Sequence, residues 1–477
     1  SQNTALIDLR CYNNFLTSLD VMQNVALIDL RCNNNQLMSL LNLTQNIALT
    51  DLSCNNNQLS NIDVSQNIAL STLFCHSNQI LNLYVTQNTA LTELNCSANQ
   101  LTTIDVTQNI ALTELWCYSN EITSIDVIQN TVLTELICSS NDFTSIDVSQ
   151  NAVLEYLNVG NNPIGTIDVS QNTVLTSLSC FMNQLSALDV SQNTSLVSLQ
   201  CSRNQLSTLD VSQNTLLTDL TCYENQLTGL DISQNTVLEK LECYLNSLTT
   251  LDVSINTALT FLSCYSNQLT SMDVTQNPAL EVLNCAINQL TILDVSQNTL
   301  LRSFGCSSNE LTSLDLSQNI NLRTSFCHDN QLTCLNVRNG NNSNFMFFSA
   351  NGNPNLTCVE VDNGGLSGNT SINIDPQTSF SANCNNACSS STVGIEEGSF
   401  LNLLLYPNPT TGNFTINLGE IKQDIKATLT NSLGQVVLTE NYTSTNLINL
   451  EIDAPNGIYF LQMDAGGEVT TKKIIKE

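Results

Sequence analysis

Apolar residues in this chain fall on a beat of 21 positions. From Ser1 to Leu335 the unit L-x-x-L-x-C-x-x-N-x-L-x-x-L-D-V-S-Q-N-x-x recurs through sixteen successive copies, of which Thr89 to Asn109 is a clean example. One unit is 22 residues long, with Leu41 as the extra residue. Cysteine marks the beat from Cys11 to Cys327, and Val159 holds the one slot it misses. So strict a period predicts a solenoid, because one such unit cannot bury its own apolar face and must share a core with its neighbours.

Within the unit, Leu94-Asn95-Cys96 alternates apolar and polar, the period of a half-buried strand. Stacking the copies gives sixteen three-residue strands in one parallel sheet, on the order of 75 Å long at ~4.8 Å per strand. About ten residues remain before the next Leu, too few for a long helix and two turns. Ile104-Asp105-Val106 and its equivalents are expected to be short extended segments on the back, pointing inside, outside and inside.

The first eleven positions resemble the leucine-rich repeat, L-x-x-L-x-L-x-x-N-x-L, with Cys in place of one Leu. The short unit and its L-T-x-L-D-V segment are most similar to bacterial internalin-type repeats. The resemblance implies a leucine-rich repeat solenoid over residues 1–335, with a parallel sheet on its concave face and short extended or turn segments on its convex face.

Three polar columns run along the repeats. Two are asparagine, one including Asn14, Asn99 and Asn330 and the other Asn3, Asn88 and Asn319. Buried amides can satisfy backbone groups that each coil leaves unpaired. The third holds thirteen aspartates, from Asp20 to Asp315. Like charges at strand spacing repel, so each carboxylate is expected to accept a hydrogen bond from the N–H two residues on, as in an Asx turn. Calcium bridging neighbours such as Asp189, Asp210 and Asp231 is the alternative; no other cofactor is expected. The cysteine file is expected to be a column of free buried thiols. Equivalent side chains on parallel strands point the same way and stay too far apart for bridges, and Val159 fills one slot with an apolar group.

Four cysteines lie off the beat, in the segment 336–388 and just before it, which must close the end of the core. Sequence leaves three pairings among Cys334, Cys358, Cys384 and Cys388; Cys358–Cys384 with Cys334–Cys388 is the one expected. Asn339-Gly340 marks a turn, Phe345, Phe347 and Phe348 cluster, and residues 352–359 read as one further, degenerate coil. The serine-rich stretch 389–401 reads as a linker. Residues 402–477 change texture, with strand runs around Phe414-Thr415-Ile416, Ala427 to Thr430, Val436 to Leu438, Ile458 to Gln462 and Thr470 to Lys476, as in a small antiparallel β-sandwich. The start Tyr406-Pro407-Asn408-Pro409 with Gly412, the turn Ser432-Leu433-Gly434-Gln435, the strand Asn456 to Leu461 and the tail Lys472 to Lys476 resemble the C-terminal sorting domain of type IX secretion cargo. That resemblance implies engagement of the type IX machinery and release or attachment at the surface of a Gram-negative bacterium.

Twelve basic against forty-two acidic residues give a formal charge of −30, which argues against nucleic acid and anionic membranes as partners. No apolar run reaches the ~18 residues a spanning helix needs. Ser1 starts inside a repeat with no signal peptide before it, so the chain reads as mature or trimmed. Enzyme chemistry finds no footing. His76 and His328 lie twelve coils apart, roughly 58 Å, and no G-x-S-x-G, H-E-x-x-H or phosphate-cradling loop occurs.

What the concave face offers is aromatic. Tyr223, Tyr244 and Tyr265 follow the cysteine in three consecutive coils, with Phe181 and Phe261 nearby; Phe74, His76, Trp116 and Tyr118 form a second group. An acidic strip runs through Asp8, Asp29, Asp51, Glu93, Glu114 and Glu135, edged by Arg10 and Arg31. Aromatics on a rigid face suit sugar rings or a protein hot spot. The expected function is a secreted or surface-displayed protein that binds a protein or polysaccharide through this face. The alternative is a structural component of a surface layer or filament.

Overall fold

A computed structural model describes residues 3–38, 42–366, 371–384, 388, 404–406, 410–431, 435–465 and 468–476. Leu41, the linker 389–401 and the turns at Pro407-Asn408-Pro409 and Ser432-Leu433-Gly434 lie outside the described residues. Contacts divide the chain into Ser1–Cys388 and Ser389–Glu477.

The first unit winds as a parallel solenoid. Its strands are three residues long, from Asp8–Arg10 to Thr324–Phe326, and each central Leu or its equivalent turns inward. Equivalent residues of successive units pair directly, as in Glu93↔Glu114 and Leu94↔Leu115. The following Cys continues the ladder, Cys96 N–H donating to the Trp116 carbonyl at 2.9 Å, with its thiol buried. On the back, Ile104 and Val106 are buried and Asp105 is exposed. Among the described residues the one helical element is a single 3-10 turn, Asn342–Asn344.

The end of the solenoid differs from the expectation of one degenerate coil at 352–359. The main sheet has eighteen strands, because Phe347–Ser349 and Ser371–Asn373 continue it beyond Thr324–Phe326. Cys358–Glu360 instead joins Ser313–Asp315, Cys334–Asn336 and Ser379–Ser381 in a four-stranded parallel sheet away from the main one. The beat is lost in the sequence because loop residues lengthen these coils, yet Phe345, Phe348, Ala350, Leu356, Val359 and Val361 keep the inward positions. Cys334–Cys388 and Cys358–Cys384 are disulfide-bonded across this end.

Amides hold the coils in register. The Asn120 Oδ1 accepts from the Leu101 N–H of the preceding coil at 3.0 Å, while its Nδ2 donates to the carbonyls of Cys96 and Cys117. In the second column Asn109 Nδ2 donates to Val85 and Asn88 of the coil before, at 2.9 and 2.8 Å. Only that edge of the amide is used; fourteen Oδ1 atoms of this column, from Asn46 to Asn319, meet no donor among the described residues.

The fifteen cysteines on the beat are free thiols, and all but Cys11 are buried. Burial pushes thiols such as Cys117 and Cys201 up to about 12. All thirteen aspartates accept from the backbone N–H two residues on; Asp210 takes that of Ser212 at 2.9 Å. Those bonds hold Asp210 below the usual carboxylate range, against the opposing push from Asp189.

One backbone feature had no signature in the sequence. The residue two beyond the inward Cys, or beyond Val159 in the coil that lacks it, has positive φ in all sixteen repeats, including Ala98, Met182, Leu245 (52°) and Ile287 (53°). Left-handed backbone at a non-glycine residue costs roughly 1–2 kcal/mol. Inter-coil hydrogen bonds offset it, as where the Ile287 N–H donates to the Ser307 carbonyl at 2.8 Å.

The second unit is a five-stranded antiparallel sheet with its own core. Asn413–Asn431 is one long strand where two were expected; its register against Val436–Glu451 shifts between Asn417 and Lys422. Its first part pairs with Leu404–Tyr406 and its second with Gly457–Ala465. Phe414, Ile416, Ile425 and Leu429 therefore meet in a single cluster, and the sheet closes over it like a sandwich. Lys476 ties down the tail, its Nζ donating to the carbonyls of Ile452 and Ala454.

Candidate binding face

Alternation on the sheet decides what the concave face shows. With the central Leu and the Cys inward, the first and third strand residues and the residue after Cys face outward. Parallel register then lines like positions into rows.

Tyr223, Tyr244 and Tyr265 occupy one row. Their rings stack face to face, with centroids 4.3 and 4.4 Å apart and planes within 7 and 12° of parallel. That spacing is slightly less than the ~4.8 Å strand step, so the rings close on one another. They offer edges and hydroxyls outward rather than three open faces. The Arg203 guanidinium lies 5.9 Å from the Tyr223 ring centre and is itself bound to Glu224 at 3.0 Å. Burial, followed by the neighbouring tyrosines, pushes the Tyr244 hydroxyl up from its ordinary range. Phe261 lies in a different row, with the Lys240 ammonium 5.9 Å from its ring centre and paired to Glu242 and Asp219.

Phe181 shares the tyrosine row but is not in the stack. It lies over Gly160, where any Cβ would collide with its ring. Gly160 follows Val159, so the coil without a thiol is also the one that accepts a ring laid flat.

Phe74 and Trp116 converge from coils two steps apart to a centroid separation of 6.1 Å. Between them Asn95 is left only 8% exposed. The indole N–H donates to Glu135 at 2.6 Å, and His76 packs at 6.5 Å from Phe74. Burial lowers the His76 pKa, and its Nδ1 has no partner among the described residues. Tyr118 is half-buried in the row of the later tyrosines. Glu93, Glu114 and Glu135 stand in register beside this group. Burial first, and then its two neighbours, raise the Glu114 pKa. Residues 32–202 hold thirteen acids and neither lysine nor arginine, so no basic side chain of these eight coils answers that charge.

Asp189, Asp210 and Asp231 lie apart from this face, in the back segment, each engaged by its own Ser191, Ser212 or Ser233 N–H. No group of three or more His, Cys, Asp or Glu side chains suited to a metal ion occurs among the described residues. The aromatic rows were visible in the sequence. The covering of Asn95 and Gly160 was not, because it depends on side chains leaning across coils.

Residues 404–477 match the family described as the secretion system C-terminal sorting domain. Together with the repeats, this gives a leucine-rich repeat solenoid carrying a type IX sorting domain, which indicates secretion or export to the cell surface. The functional domain of InlJ from Listeria monocytogenes, whose structure includes a cysteine ladder, is similar at 28% identity and a TM-score of 0.58, covering 100% of this chain and 92% of that one. YopM from Yersinia enterocolitica shares the fold at 23% identity and TM-score 0.52, covering 78% of this chain and 83% of its own. The PEPR1 structure with AtPEP1 does so at 18% and 0.65, covering 79% and 62%. No curated protein sequence matches the chain. Among the described residues no helix is long and apolar enough to cross a membrane.

Proposed function

We propose that this chain is a non-enzymatic binding protein, displayed on or released from a Gram-negative cell through the type IX machinery, which captures a protein or polysaccharide on its concave sheet. The tyrosine stack carries the reading. Three half-buried rings fixed against one another lose little entropy on contact, which is what an anchor for a partner requires. Phe181, Phe261 and the group of Phe74, His76, Trp116 and Tyr118 extend the face on either side. The solenoid fold and the sorting tail support an extracellular role.

The test is an array of glycans and surface proteins probed with the full chain and with Tyr223, Tyr244 and Tyr265 replaced together by Ser. Loss of capture is expected. Capture unchanged by the triple replacement would sink the proposal.

A second reading, assembly into a surface layer or filament, draws on one observation. Ile47, Ile68, Ile110 and Ile320 recur, more than half exposed, at the same place beside the second asparagine column. Assembly that persists in the tyrosine triple variant, without capture of any ligand by the parent chain, would favour it.

A further inference from the structure

We propose that the C-terminal end of the tyrosine stack is a subsite for one pyranose ring of a neutral glycan, held on the open face of Tyr265. This deepens the concave-face reading and rests on it.

The stack is closed at one end and open at the other. Arg203 lies over the outer side of Tyr223, and Tyr244 is enclosed between its neighbours. Beyond Tyr265 the same row continues as Ala286 and then Ser307. A flat group placed on Tyr265 at the next step of the stack would stand above Ala286, where no ring among the described residues stacks on Tyr265 from that side.

The floor of that step carries only small side chains, Ala286 and Ser307, each 8% exposed. In the neighbouring row, the third strand position carries a side chain in every repeat except at Gly305. A Cβ there would stand 3.0 Å from the Asn284 Oδ1. Glycine inside a strand weakens it and often marks close approach by another group. The next rings in these two rows, Phe326 and His328, are three coils from Tyr265, about 14 Å at strand spacing, while Ile287, about half exposed, stands at the edge of the slot beside Ala286. The opening takes one ring against Tyr265 and the continuation of a chain across the sheet.

The lining selects the chemistry. The outward positions of these two coils, including Val282 and Ser303, are uncharged, unlike the acidic coils of the N-terminal half. At their flank Arg302 and Glu281 neutralise one another at 3.4 Å. A charged ligand therefore finds no partner here. The floor is nonetheless polar, which suits a hydroxylated ring better than an aromatic side chain. Asn284 Oδ1 already accepts from the Ala286 N–H at 3.2 Å, which leaves its NH2 to donate. Ser303 Oγ accepts from the Thr324 hydroxyl at 2.9 Å, which leaves its own proton to donate. A β-linked hexopyranose presents a flat face of axial C–H groups to a tyrosine ring and equatorial hydroxyls around its rim to such donors.

The full chain is titrated calorimetrically with cellohexaose, laminarihexaose and chitohexaose, alongside three variants. Ala286→Tyr extends the stack into the slot with a residue that the row accepts in the three coils before it. Tyr265→Leu removes the platform and reports independently if the first variant folds poorly. Tyr223→Ser alters the far end. At least one oligosaccharide is expected to bind. Ala286→Tyr and Tyr265→Leu should each weaken it about tenfold or more, and Tyr223→Ser by no more than about twofold. The subsite is overturned if none of the three sugars binds, if Ala286→Tyr binds as the parent does, or if Tyr223→Ser costs as much as Tyr265→Leu. Should the sugars fail while a defined protein from the array is still captured in a tyrosine-dependent way, the glycan subsite falls and the concave-face reading stands.

Discussion

Replacing Cys222 separates a thiol that acts as a small hydrophobe from one that acts as a polar or redox group. Its side chain is fully buried between the equivalent cysteines of the adjacent coils, and burial raises its pKa well above the ordinary value. Cys222→Ser puts a hydroxyl where the wall is apolar. An unpaired buried hydroxyl costs about 1–3 kcal/mol, and the smaller oxygen forfeits some packing as well. Cys222→Val adds roughly a methyl group but keeps the wall apolar, as Val159 does in its own coil, and should cost less than about 1.5 kcal/mol. Denaturant titration followed by circular dichroism would compare the two, with Cys180→Ser and Cys264→Ser added singly and together. In a solenoid, penalties separated by an intact coil are expected to sum nearly independently. Native alkylation at pH 8 supplies the companion measurement. A thiol raised to about 12, such as Cys201, is ionised in roughly one molecule in ten thousand and is sealed from reagent besides. Only Cys11, which is partly exposed, should react before unfolding, and all fifteen afterwards. Serine variants as stable as the valine variant, or native modification along the file, would refute this account of the core.

Other consequences can be measured separately. Glu114 has a raised pKa, so its charge opposes folding once it ionises; Glu114→Gln should stabilise the chain at neutral pH, with the gain fading as pH falls through the carboxylate range. The aspartate column has the opposite sign: residues such as Asp63, Asp105 and Asp252 are depressed, so their contribution is present above their unfolded value near 3.8 and is lost as pH falls through the lower folded value. Acid titration of thermal stability should show that loss at the low end. Because each of these carboxylates already holds a backbone N–H, exchanging calcium for a chelator should leave the melting midpoint unchanged, and a rise of several degrees with calcium would revive bridging between Asp189, Asp210 and Asp231. Gly160→Ala should turn the Phe181 ring off the sheet at a stability cost below about 1 kcal/mol, since the ring can rotate away; aromatic NMR shifts of Phe181 that do not move would contradict the packing.

The solenoid was legible because nearly every coil repeats the same inward Leu, Cys and Val at the same spacing. A buried position tolerates few residue types, and the sequence displays that restriction sixteen times. Past Leu335 the restriction persists but the spacing does not. Phe345, Phe348 and Ala350 occupy inward slots under different names, separated from the earlier beat by loop residues, so the sequence shows one coil where the structure has two. The left-handed turn after each Cys was hidden for the opposite reason. Asn, Ser, Met, Leu, Arg and Ile all occupy it, because bonds from the next coil impose the backbone there rather than the residue's own preference. On the concave face the sequence showed which rows carry rings. It did not show that three would close into a stack with one free end, because that depends on how side chains lean by an ångström or less.

The amide columns have a structural corollary. Between coils each Asn reaches only into the one before it, and every interior coil offers its neighbour the same carbonyls and N–H groups in the same places. Nothing in that arrangement counts how many turns precede or follow. Cutting out one whole 21-residue unit, such as 180–200, should let the flanking turns join edge to edge without a seam. Distance between the two aromatic groups is thus an adjustable dimension of this molecule, graduated in single turns like marks on a ruler.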